Sequence, residues 1–291
     1  MAKAAGKFIL NSEKALEVTE KAIAMLRSKQ YPFNKEDTLP DTVLPEGIIY
    51  GSLEHSRLIF YACSADSMRK ATHVYRAFRD ISREVHLGNL CCLSKEELSD
   101  LVSRHLDENG IGEPAEALYY NSRILHEKYG DDPRRIKQQG IDETLKILEK
   151  EFEQVGLGKA SLIMKNFVRF GFWDFDKCQI PVKVDRHITR ISLGTGVVET
   201  GEQELKAGQL VKPLSNLYRK ITSERRISAI ELDDALWAIG AYLCTKNDEA
   251  YCKMTCPLHC ERRPKSDSMA SMFELRKDMR KPMSTGLLFD F

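Results

Sequence analysis

Apolar and polar positions along this chain follow a helical period nearly everywhere. Residues 12–29, SEKALEVTEKAIAMLRSK, repeat apolar side chains at helical spacing, and Ser12 is a natural cap for the first turn. Residues 31–47 hold three prolines and a glycine, which predicts an irregular connection. The stretch 56–82 predicts a buried helix followed by an amphipathic one. Residues 94–105 open on Ser94 with Glu97 three positions later, the pattern of a capping box. An amphipathic helix is expected over 114–130, with Gly130 as its stop. Residues 141–155 lead through a glycine-containing turn into a further helix over 156–171. QIPVKV (179–184) is the one convincing extended segment, and Pro181 suits it poorly to the centre of a sheet. The pattern predicts an all-α chain. From about Arg262 the sequence becomes charged and methionine-rich without a core-forming period, so its end reads as a tail.

Composition narrows the class only a little. A chain of 291 residues can bury one large core or two smaller lobes, and 42% hydrophobic with 30% charged residues is ordinary for a globular protein. The net charge of +1 weighs against histone-like coating of DNA and leaves any nucleic-acid contact to a local basic patch. No stretch supplies the roughly 18 consecutive apolar residues of a membrane helix. No secretory leader is recognisable, so a cytoplasmic, nucleoid-associated setting with reduced thiols is expected. Cys63, Cys91, Cys92 and Cys178 show no spacing of their own and are expected to be free buried thiols.

The chemistry concentrates in two places. Cys244, Cys252, Cys256 and Cys260 stand at intervals of seven, three and three residues. Four thiols so close together point to a shared metal, because soft thiolates select zinc or an iron–sulfur cluster. The spacing leaves zinc and [4Fe–4S] both open. His259 beside Cys260 is expected to shield the site. Lys253, Arg262 and Arg263 place positive charge around the last cysteines, where they would meet phosphate without reading sequence. The second place is EQVGLGKASLIMKNFVRFG. Gly156 and Gly158 permit a tight turn whose amides face outward at a helix N-terminus, which suits a phosphate; a plain helix–helix turn is the alternative. Downstream stands KVDRHITRISLG, where Asp185 can cap a helix.

Taken in order, the GLGKAS hairpin, the VDRH motif and the four-cysteine loop resemble the helix-hairpin-helix (HhH-GPD) DNA glycosylases. The likeness is to the endonuclease III type with its C-terminal iron–sulfur loop, and it runs from about Arg57 to Cys260. It implies a two-lobed all-α fold. A helical barrel lobe (57–175) would end in the hairpin. A discontinuous lobe (1–56 plus 176–265) would carry the catalytic aspartate and the cysteine loop, and 266–291 would be the tail. It further implies a monomeric base-excision enzyme acting on duplex DNA with a modified base. Asp185 would stabilise positive charge on the sugar, and Gly156 and Gly158 would face DNA phosphate. The four cysteines would hold a [4Fe–4S] cluster, with zinc the alternative. Two departures stand out: the inner cysteines are displaced within a loop of the family's length, and 172–179 lengthen the path from hairpin to VDRH.

The mechanism stays open at this point. Bifunctional family members place a lysine just after the hairpin glycines, where its amine attacks the sugar C1′. Ungapped alignment from Gly156 puts Ala160 there and implies a monofunctional enzyme; shortening the hairpin by one residue puts Lys159 there instead, keeping the small Ser161 where the helix packs closely. A non-catalytic, zinc-dependent nucleic-acid-binding protein is the reading from a different class. A flipped base would need a pocket, for which Ser64, Asp66 and Ser67 are candidates. Trp173, Tyr119 and Tyr120 are aromatic candidates for stacking on a base, with core packing the default expectation. The terminal STGLLFDF resembles sliding-clamp-binding peptides, with Leu288, Phe289 and Phe291 as anchors.

Overall fold

The structure, a computed structural model, describes residues 8–35, 38–66, 71–106, 113–200, 207–244 and 256–260. Ser67, Cys252, Lys253, Arg262, Arg263 and the clamp-type anchors Leu288, Phe289 and Phe291 lie outside the described residues. In chain order the elements are β1 (Phe8–Leu10), α1 (Ser12–Arg27), α2 (Leu53–Ala65), α3 (Ala71–Glu84), α4 (Lys95–His105) and α5 (Pro114–Tyr129). There follow α6 (Ile141–Glu151), α7 (Leu157–Arg169), α8 (Arg186–Gly194), β2 (Val198–Thr200), α9 (Ala207–Arg225) and α10 (Ala229–Ala238). A π-helical turn, Ile239–Leu243, continues α10. The fold is all-α, as the period predicts, with one small ribbon among the described residues. Contacts divide the chain into a continuous unit, 39–180, and a discontinuous one, 1–38 plus 181–291.

The continuous unit is organised around α2. From His55 to Ala65 every residue is buried, because this helix is covered by α7, α3 and α5. Ser52 caps it by accepting a hydrogen bond from the His55 N–H at 3.1 Å. The capping box of α4 is complete: the Glu97 N–H donates to Ser94 Oγ at 3.1 Å, and the Ser94 N–H donates to Glu97 Oε2 at 2.7 Å. Gly130 ends α5 at φ +59°, a left-handed conformation that glycine adopts at little cost.

The connection before α2 belongs to this unit, which therefore begins upstream of the Arg57 start expected from sequence. The 3₁₀ turn Pro40–Thr42 packs on α3. The buried Asp41 meets Lys165 at 3.5 Å and Arg169 at 3.0 Å, both on α7. Burial alone would raise the Asp41 carboxyl, but the two cations outweigh it and hold it down at about 2. His55 is buried among Tyr50, Phe170 and Phe172. That burial pushes its pKa down to about 4. Cys63 and Cys178 are buried as expected, whereas Cys91 is half-buried and Cys92 exposed, which corrects the reading of all four as core thiols.

In the discontinuous unit, β1 and β2 pair antiparallel, Phe8 opposite Thr200 and Leu10 opposite Val198. The cap of α1 is Asn11 and not Ser12: Asn11 Oδ1 accepts from the Lys14 N–H at 3.0 Å. This helix buries Ala15, Val18, Ala22, Ile23 and Met25 and packs on α10 and α9. Residues 179–184 join no strand among the described residues. Side chains take the place of a partner strand. The Lys183 N–H donates to Asp233 Oδ2 at 2.6 Å, and the Val182 carbonyl accepts from Ser215 Oγ at 3.0 Å.

Candidate active site

Asp185 is the residue before α8, in extended backbone, and its side chain caps the helix. One oxygen, Oδ1, accepts from the N–H groups of His187 (2.8 Å) and Ile188 (3.1 Å). Those donors are among the N–H groups a helix start leaves without internal partners, and the helix dipole favours a negative charge there. Burial pushes the Asp185 carboxyl up; His187, Lys183 and the two backbone donors outweigh it, and the net shift is downward. The group is therefore a carboxylate at neutral pH, half-buried, with its position fixed by backbone.

His187 next to it is buried. The Arg186 Nε lies 3.4 Å from its Nε2 and the Arg190 Nη2 3.1 Å from its Nδ1. Burial, then the charges of Arg190 and Arg186, push its pKa down to about 4 even though Asp185 pulls the other way. A histidine so held is uncharged at pH 7 and too weakly basic to be a general base there. Its role is packing, and the packing is close. A Cβ on Gly240 would sit 2.5 Å from the His187 Cβ and 3.2 Å from its Cα, so only glycine lets the π-helical turn approach the start of α8. Arg190 donates to the Gly240 carbonyl and joins the same two elements. The arginines are legible as polar positions on α8; Gly240 has no sequence signal linking it to His187.

The far end of α8 meets the cysteine segment. A Cβ on Gly194 would lie 3.2 Å from Cys260 Sγ, so the thiol sits in a cradle that a larger residue would fill. Nine residues at about 1.5 Å per residue separate this contact from the Asp185 cap. Cys256 is buried, and Cys244 and Cys260 are half-buried. His259 is exposed while Leu258 beside it is buried, which corrects the expectation that the histidine shields the thiols.

Lys159 and the hairpin glycines belong to the continuous unit. The left-handed residue of the α6–α7 turn is Gln154, at φ +59°, and not either glycine. Gly156 caps α7 in extended backbone, and a Cβ at Gly156 or Gly158 would meet nothing within 4 Å. The glycines thus leave the helix start bare, without being required by the turn. Lys159 extends from the first turn of α7 and donates through Nζ to the Ser64 carbonyl at 2.5 Å, in the last turn of α2. That contact brings together two places the sequence singled out. Ala160 is fully buried, and Ser161 is buried as close packing of this helix requires. Trp173 is a core residue whose Nε1–H donates to the Arg134 carbonyl at 3.0 Å. Tyr119 lies beneath the Arg123 guanidinium, and Tyr120 is exposed.

The sequence matches no protein-family model and no curated protein. Among solved structures, the chain is similar to the Methanocaldococcus jannaschii 8-oxoguanine glycosylase/lyase, crystallised with a 15-mer DNA containing 8-oxoguanine. The superposition has a TM-score of 0.52 at 15% identity and covers 77% of this chain and 96% of the other. At that identity the likeness is one of fold.

Proposed function

We propose that this chain is a DNA glycosylase that removes a modified base from duplex DNA. The observation that carries this reading is Asp185, a carboxylate held ionised by the start of α8 in a fold shared with a glycosylase/lyase. As the N-glycosidic bond breaks, the base leaves with the bonding electron pair and positive charge develops on the sugar. A fixed carboxylate stabilises that charge without having to reorganise. In this reading the bare N-terminus of α7 meets a backbone phosphate, joined by Lys253, Arg262 and Arg263.

Cys244, Cys252, Cys256 and Cys260 would hold a [4Fe–4S] cluster or a zinc ion. Thiolate donors suit either group, and the close approach of Gly194 to the Cys260 thiol fits a ligand held against the end of α8. When bound, the group would supply cross-linking of the loop. Lys159 is the candidate nucleophile of a bifunctional enzyme: its amine would have to lose a proton before forming a Schiff base with the sugar C1′. A second reading is a monofunctional enzyme, favoured by the engagement of Lys159 with the Ser64 carbonyl.

The experiment is excision from duplexes each carrying one labelled lesion: oxidised guanine, oxidised pyrimidine, uracil or thymine mismatch, or alkylated adenine. Each is worked up with and without alkali and with borohydride. Asp185→Asn is expected to lower excision by about 100-fold or more while DNA binding persists. Unchanged excision by this variant removes Asp185 from the mechanism. A borohydride adduct lost in Lys159→Ala, with base removal retained, supports the bifunctional form; strand breaks only after alkali support the monofunctional one. Silence on every lesion with DNA still bound would favour a zinc-dependent binding protein.

A further inference from the structure

We propose a second metal site in the 39–180 unit, for zinc, held by Cys91, His126 and Asp131, with the neighbouring Cys92 as the fourth donor once its side chain turns in. It lies where the 3₁₀ turn Leu87–Cys92 packs on α5. Ligand atoms of Cys91, His126 and Asp131 all lie within 4.8 Å of one another. Cys92 Sγ is 3.8 Å from Cys91 Sγ, and His126 Nδ1 is 2.8 Å from Asp131 Oδ2. Zinc–sulfur bonds of about 2.3 Å at a tetrahedral angle put two thiolates about 3.8 Å apart, which is the spacing observed. Two sulfurs, an imidazole and a carboxylate form a donor set that selects zinc over calcium or magnesium.

The backbone around the site is held in an uncommon form. Asp131 has φ +61°, directly after Gly130 at +59°. A non-glycine residue in that region carries strain of about 1 kcal/mol or more and persists only where its surroundings fix it. Here the Asp131 carbonyl accepts from Arg57 Nε at 2.8 Å and its N–H donates to the Leu125 carbonyl at 3.1 Å. The result turns the carboxylate back toward His126 in the last turn of α5. The nearby Arg57 charge is met by Glu54 at 3.1 Å, so it does not oppose a dication unbalanced.

Binding balances simply. Two thiol protons leave to water, and the imidazole proton facing Asp131 is given up at Nδ1 and carried at Nε2. The four lone pairs go to the metal, with no change of oxidation state. His126 is 58% exposed, so water can receive and return that proton. The site would tie the 3₁₀ turn Leu87–Cys92 to the end of α5, independently of the cysteines near the C-terminus.

The test is elemental analysis of the full chain, purified without chelator, as parent, as Cys91→Ser/Cys92→Ser and as His126→Ala. Each variant is expected to lose about one zinc per chain while iron, or the zinc of Cys244 to Cys260, is retained. Cobalt(II) added to the parent should give thiolate charge-transfer and tetrahedral ligand-field absorption that the double variant lacks. Cys256→Ser, by contrast, should alter the other metal and leave this one. Should the double variant fail to fold, the exposed His126→Ala reads the same loss. Equal zinc in parent and His126→Ala would overturn the proposal. So would an unreduced parent lighter by two hydrogens across Cys91–Cys92, which would mark a disulfide.

Discussion

In the proposed glycosylase, Asp185 would act only while its carboxylate stays charged and stays in place. The charge is secured by two N–H donors of α8. The place is secured from fifty residues away, by Gly240 against His187. Gly240→Ala is expected to cost about 1–3 kcal/mol, because the added methyl drives into a close-packed contact and pushes on the first turn of α8. Urea unfolding would read that cost, and excision should fall further than DNA affinity. Gly158→Ala is the control: its Cβ meets nothing, so stability should stay within about 0.5 kcal/mol. The contrast shows what was legible at this scale. Asp185 stood out through the family likeness of its VDRH motif, and its capping of the following helix was the plain reading beside it. Gly240 did not, since a glycine required by a distant neighbour leaves no local pattern.

Elements were read well where apolar spacing alone decides them. The capping box of α4 and the glycine stop of α5 are local chemistry and formed as expected. The segment before Asp185 joins no strand among the described residues; its backbone groups are satisfied by Ser215 of α9 and Asp233 of α10, which no periodicity reveals. β1 and β2 span three residues each, too few to display an alternation. Between elements, the buried triad of Asp41, Lys165 and Arg169 fastens the 39–52 connection to α7. Asp41→Ala would leave Lys165 buried beside a second cation, and a loss of about 3–5 kcal/mol is expected in urea unfolding. With the carboxyl at about 2 in the folded chain, its contribution is present above about pH 4 and disappears as pH falls toward 2.

At the scale of the whole molecule, each unit buries a histidine, His55 in one and His187 in the other. Burial pushes both to about 4, against about 6.5 in an unfolded chain. Between those values the unfolded chain binds more protons than the folded one. Stability is therefore full above about pH 6.5 and falls as pH drops to about 4, by up to about 3 kcal/mol per histidine. Urea midpoints at pH 7, 5 and 4 would measure the decline, and His55→Phe should shallow it. A midpoint flat from pH 7 to 4 would refute the assignment. A discontinuous layout was expected only through the family likeness, since contacts across so long a separation leave no trace in local periodicity.

That layout has a consequence for synthesis. The apolar face of α1 is made early, yet its partners α9 and α10 begin about 180 residues later. At roughly 5–20 residues per second, α1 leaves the ribosome about 10–40 s before the helices that cover it. Residues 39–180 are complete in the meantime, with Lys159 already seated on α2. A nascent chain stopped before α10 would thus carry the amine without Gly240, the glycine packed against His187 at the start of α8. On the proposed reading, such a chain would be an unfinished product, unable to excise a base.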